Sequence, residues 1–153
     1  MTALRARWRP EHQQQPVIVS TRADIESLID TLVEVPGEND LAAVLTLDPS
    51  IQRGLPAGGP GPQLLVGVNR RELVGSVRLT LFGFWYAQSE ATPGSTEYAY
   101  HLLGCRQAFP ADAAISLDEV VLMIEEFLHD SGRRRPPCTA WTAWPGDPDP
   151  GRQ

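Results

Sequence analysis

The segment ISLDEVVLMIEEFLHDSG, residues 115–132, constrains the fold of this chain more than any other. Ser116 with Glu119 three residues later has the form of a helix-capping box, and Gly132 is well placed as the left-handed residue that ends a helix. Between them Leu117, Val120, Val121, Ile124, Phe127 and Leu128 fall on one side, and Leu122 and Met123 widen the apolar stripe. Such a helix is expected to be largely covered by other elements. Arg133, Arg134 and Arg135 follow it, where cations complement the negative end of the helix dipole.

The remaining chain supplies the cover. PVIVST (16–21) reads as a strand, after which Thr21 with Asp24 starts a second helix whose apolar face is Ile25, Leu28, Ile29, Leu32 and Val33. Pro36-Gly37 ends it. Strands are expected at 41–47, 63–69, 72–82, 96–103 and 138–144, with a hairpin turn at Asn69-Arg70-Arg71. RGLPAGGPGP (53–62) and QSEATPGS (88–95) read as loops. The order predicts an α+β fold, a mainly antiparallel sheet with two principal helices in one domain. That domain is expected over residues 16–144, with a flexible segment at 1–15 and a disordered tail at 145–153.

Composition narrows the function. The chain has 153 residues and is 42% apolar, which suits one globular core. No apolar run is long enough for a membrane helix, and MTALRARWRPEHQQQ lacks the apolar stretch of a secretory signal. A cytoplasmic location and reduced Cys105 and Cys138 are therefore expected. All 13 basic residues are arginine, so no P-loop lysine, Schiff-base lysine or Ser-Lys dyad exists here. Residues 11–132 hold 17 acidic side chains and 6 arginines, a net of −11 within an overall −6. An acidic body repels nucleic acid and favours basic partners.

The sequence offers little catalytic chemistry. His101 and Cys105 have a spacing that pairs side chains on a helix, but they lie in a strand-and-turn stretch with no second pair to complete a metal site. His12 and His129 stand alone, and exposed positions are expected for them. Pro136-Pro137-Cys138 resembles the start of a zinc deaminase motif, yet no second cysteine follows at the required spacing and no H-x-E precedes it. There is no G-x-S-x-G. No enzyme, cofactor or metal is expected. FGFWYA (82–87) offers a stacking surface of the kind RNA-binding sheets use, which gives an alternative reading as a nucleic-acid-binding or regulatory domain; basic residues do not interleave with it.

The segment FPADAAISLDEVVLMIEEFLHDSGRRRPPCTAW resembles the ending of immunity protein family one of bacterial polymorphic toxin systems. There a Phe-Pro precedes an acid-capped helix closing in Glu-Phe-Leu, then a Gly-x-Arg-Pro turn and a strand ending in Trp. Here these are Phe109, Pro110, Glu126, Phe127, Leu128, Gly132, Arg135, Pro136, Cys138 and Trp141. QLLVGVNRREL and STRADIESLIDTL are similar to the family's earlier elements, so the resemblance spans about residues 16–144. The additional arginines lengthen the family's turn. The resemblance implies a cognate inhibitor forming a 1:1 complex with a toxin, of deaminase type or, failing that, a nuclease. It assigns Phe109, Pro110, Glu126, Phe127, Gly132, Pro136 and Trp141 to a structural joint between helix and last strand. For the contact with a basic toxin cleft the candidates are the acids Glu38, Asp40, Glu72, Glu90 and Glu97, with Trp85, Tyr86, Tyr98 and Tyr100 as aromatic anchors.

Overall fold

Both helices form where the caps predict. A computed structural model of the chain describes residues 3–47, 62–89, 97–138 and 140–145. Helix α1 (Arg22–Glu34) starts at Thr21, whose hydroxyl accepts from the Asp24 N–H at 3.2 Å. The Asp24 carboxylate accepts in turn from the N–H groups of Ser20 (2.9 Å) and Thr21 (3.1 Å). Those bonds, the Ser20 backbone bond foremost, hold the carboxyl below its ordinary range. The last turn of α1 has no basic residue of its own. Arg70 supplies the cation from elsewhere: it pairs with Asp40 at 3.0 Å and donates to the carbonyls of Val35 and Gly37. Helix α2 (Leu117–His129) is capped by Ser116, which accepts from the Glu119 N–H at 3.2 Å.

The strands are β1 (Leu4–Arg7), β2 (Val17–Val19), β3 (Ala42–Leu47), β4 (Gln63–Asn69), β5 (Val74–Thr80), β6 (Phe84–Gln88), β7 (Glu97–Leu102), β8 (Cys105–Pro110), β9 (Ile115–Ser116) and β10 (Ala140–Ala143). One sheet runs in the order β10-β6-β5-β4-β3-β1-β2, antiparallel at every step, with β9 added beside β5. The strands β7 and β8 form a separate hairpin. The α+β, mainly antiparallel architecture with two helices is as the sequence predicts. No helix among the described residues is long and apolar enough to cross a membrane.

The sheet carries an apolar core on each face. Both helices cover one face, where Ile25, Leu28, Leu32, Ile124 and Phe127 meet Leu4, Leu45, Leu64, Val66, Val77 and Leu79. The β7–β8 hairpin crosses the other, where Tyr98, Tyr100 and Phe109 pack on Ala42, Leu65 and Tyr86. Gly67 makes this approach possible: a Cβ there would lie 2.4 Å from the Tyr100 ring.

Three expectations are corrected. Residues 1–15 are not a flexible lead-in: β1 lies inside the sheet between β2 and β3, and Leu4, Ala6 and Trp8 are buried. His12 is buried too. Its Nδ1 accepts from the N–H groups of Trp8 and Arg9, both at 3.1 Å, and its ring lies edge-on to Trp8. The strand expected at 72–82 stops at Thr80, where a turn through Leu81, Phe82 and Gly83 leads into β6. Residues 53–61, 90–95 and 146–153, the greater part of both loops and of the tail, lie outside the described residues.

Candidate partner-binding surface

The arginine-rich stretch after α2 is a tightly bonded joint. The Gly132 N–H donates to the Phe127 carbonyl at 3.0 Å and the Ser131 N–H to Leu128 at 3.2 Å, the two bonds of a Schellman motif. Ser131 (φ 54°) takes the left-handed position expected of Gly132, which follows at φ 66°. Glycine is needed at 132 for a second reason, since a Cβ would meet Pro62 and the Phe127 ring at 2.9–3.0 Å. Glu126 then accepts from the Cys138 N–H at 3.2 Å, and the Trp141 indole donates to the Pro136 carbonyl at 2.8 Å. Arg135 stacks over Trp85 at 4.2 Å, and Arg134 reaches Asp130 at 3.6 Å. Two of the three arginines thus have partners within the protein. Phe109 and Pro110 are not part of this joint. They belong to β8, where Phe109 stacks edge-on against Tyr100 and Trp144.

Burial, and then the Glu126 carboxylate, push the Cys138 thiol up to about 12, so it is no thiolate nucleophile near neutral pH. His101 and Cys105 lie on opposite arms of the β7–β8 hairpin, where Leu102 is the residue paired with Cys105. Among the described residues no group of three or more His, Cys, Asp or Glu side chains converges as a metal site would require.

The expected contact residues are mostly committed elsewhere. Tyr86, Tyr98 and Tyr100 are at most 5% exposed and belong to the core beneath the hairpin. Tyr100 shares a 2.7 Å hydrogen bond with Ser76, Tyr98 donates to Glu72 at 3.0 Å, and Tyr86 donates to Asp112 at 3.0 Å. Burial, ahead of the Asp112 carboxylate, raises the Tyr86 hydroxyl above its ordinary range. These tyrosines hold the fold and are not exposed anchors. Trp85 and Tyr86 also point to opposite faces, because side chains alternate along β6, and Tyr86 is covered by the hairpin, so FGFWYA presents no continuous open aromatic face. Asp40 pairs with Arg70 and Glu97 with Arg106. Glu38 is exposed, and Glu90 lies outside the described residues.

Most of the outward-facing acid among the described residues is on the helices. Glu26, Asp30 and Glu34 on α1 and Asp118 and Glu119 on α2 are exposed, with Glu125 and Glu126 half-buried beside them. The signal was present in the sequence: these carboxylates occupy the positions left between the apolar ones at helical spacing. Arg22 is the only arginine on either helix, and it pairs with Glu26 (3.1 Å) and Glu125 (3.3 Å). At the C-terminal end of α2 an open cleft of about 290 Å³ is lined by Glu125, Glu126, His129, Asp130, Arg134 and Pro136.

This arrangement of capped helix, Schellman turn and Trp-bearing last strand can be set against known families. The sequence model described as Immunity protein Imm1 matches residues 13–143. The chain belongs to the Imm1 family. The match covers β2 through β10 and begins after β1, so the first strand of the sheet lies outside the matched region. No curated protein matches the chain. Membership of Imm1 carries a toxin-neutralising immunity role and the binding of a cognate toxin.

Proposed function

We propose that this Imm1 protein neutralises a toxin domain of nucleic-acid deaminase type by forming a 1:1 complex that covers the toxin's active-site cleft. It acts as an inhibitor without catalysis of its own, in the cytoplasm of the toxin-producing cell. The observation that carries this reading is the charge of the helical layer. Helices α1 and α2 carry Asp24, Glu26, Asp30, Glu34, Asp118, Glu119, Glu125 and Glu126 against the single guanidinium of Arg22. A cleft that binds nucleic acid must neutralise phosphates, so it is lined with cations. Carboxylates on a rigid helical layer can take the place of those phosphates. Nothing in the chain has to react for inhibition to follow.

The test is a salt series. Association of the chain with its cognate toxin should slow by about tenfold or more from low salt to several hundred millimolar, while dissociation changes much less. Nucleic-acid substrate should compete with the chain for the toxin. An association rate that ignores salt, with a complex that still binds substrate, would refute cleft occlusion.

A further inference from the structure

We propose that Phe82, at the tip of the β5–β6 hairpin, is the aromatic anchor by which this chain docks into an apolar pocket on its toxin partner. The proposal rests on the toxin-binding reading above and assigns that contact to one end of the molecule. Phe82 is 93% exposed and belongs to neither apolar core. Its φ of 49° is in the left-handed region, as is that of Gly83 at 117°. That conformation suits Asn, Asp or Gly and is costly for a bulky aromatic. Single exposed apolar side chains are ordinary and call for no explanation. Here near-total exposure coincides with a backbone that disfavours the residue, and among the described residues the ring joins no apolar cluster.

The tip is held rigid. The Leu81 N–H donates to the Gly83 carbonyl at 3.0 Å, and the Trp85 indole donates to the Leu81 carbonyl at 3.1 Å. A backbone fixed in this way confines the loss on binding to the two side-chain torsions of the phenylalanine. The surroundings describe the partner. Trp85 lies under Arg135, whose neighbours Arg134 and Pro136 line the cleft with Glu125, Glu126 and Asp130. Phe82 thus stands at the same end of the sheet as Arg22, Arg134 and Arg135 and as three carboxylates, two of which, Glu125 and Asp130, pair with Arg22 and Arg134. The matching surface is an apolar pocket bordered by side chains of both charges, which would meet these arginines and carboxylates in turn. Leu73 offers a comparison: it also has a left-handed φ, 55°, and is 55% exposed, but it lies at the opposite end of the sheet.

Two variants, Phe82→Asn and Leu73→Asn, separate anchoring from strain. The probe is the cognate toxin domain, purified as an inactive variant, with binding measured by calorimetry and stability by thermal unfolding. Both variants should keep or raise the Tm, because asparagine accepts the left-handed backbone. Phe82→Asn should weaken binding roughly thirtyfold or more, the loss typical of an interface hot spot, and Leu73→Asn should bind as the parent does. Equal affinity of parent and Phe82→Asn would overturn the anchor and leave toxin binding intact. A lowered Tm for Phe82→Asn would overturn it by showing that the ring supports the fold. No complex with the parent chain would overturn the toxin-binding reading and the anchor together.

Discussion

At the scale of the residue, Cys138 shows how a suggestive motif becomes structural. Pro-Pro-Cys invites a metal or nucleophile reading. The fold instead half-buries the thiol against the helix-face core and ties its N–H to Glu126. Its acidity follows from that environment. Folding raises the thiol from an ordinary value of 9.0 to about 12. The proton is held in both states below pH 9, so the group costs no stability there. As pH rises from about 9 towards 12 the unfolded chain releases the proton first, and stability falls. Cys105 is exposed. Iodoacetamide at pH 8 should therefore alkylate Cys105 readily and leave Cys138 unmodified until denaturant is added, as read by intact mass. Two labels on the native protein would show that the joint opens. The residue scale also shows where sequence reading stops: Tyr98 and Tyr100 have the composition of interface anchors, but only the hairpin's position shows that they are covered.

At the scale of the element, the helices were legible and four strands, β1, β6, β8 and β9, were not, β1 and β8 being the clearest cases. Thr21–Asp24 and Ser116–Glu119 are local signals, satisfied within one turn, so tertiary structure had little to overrule. β1 reads Leu-Arg-Ala-Arg, an alternation without β-branched residues, and it is strand only because β2 and β3 pair with it on both sides. β8 reads Cys-Arg-Gln-Ala-Phe-Pro, mostly polar and ending in proline, and it pairs with β7 over six residues. Both are set by long-range pairing, which a local pattern does not carry. β1 also lies outside the family match, yet it is interior to the sheet. Deleting residues 1–8 should therefore do more than trim an end. Loss of the buried Leu4, Ala6 and Trp8 side chains, at about 2–5 kcal/mol for each of the large ones, would consume a marginal stability of about 5–15 kcal/mol. The expected outcome is no cooperative thermal transition by circular dichroism. A truncated chain that unfolds cooperatively near the parent Tm would show that β1 is dispensable.

At the scale of the whole molecule, the sheet is covered twice, by helices on one face and a hairpin on the other. The helix side was foreseeable from two amphipathic patterns. The hairpin side was not, because a strand's alternating pattern does not say what will lie over its second face. Gly67 is the place where that second layer makes its closest approach. Gly67→Ala would force the Tyr100 ring away and should cost about 1–3 kcal/mol, seen as a lower urea midpoint. The acidic α1–α2 surface should be unaffected, so affinity for the toxin is expected to hold below the unfolding transition. A variant with parental stability would show that the hairpin is only loosely seated.

The order in which these layers are made has a consequence for timing. The helix-facing side of the sheet is built mainly from β1 through β6, but α2, which supplies Ile124 and Phe127 to cover it, comes only after the hairpin, and β10 follows α2. At a synthesis rate of about 5–20 residues per second, a ribosome spends some seconds with much of the sheet already made and its apolar side incompletely covered. Protection against the toxin can begin only once that interval has closed. In that window, holdase chaperones would be expected to find a binding surface that the finished protein no longer shows.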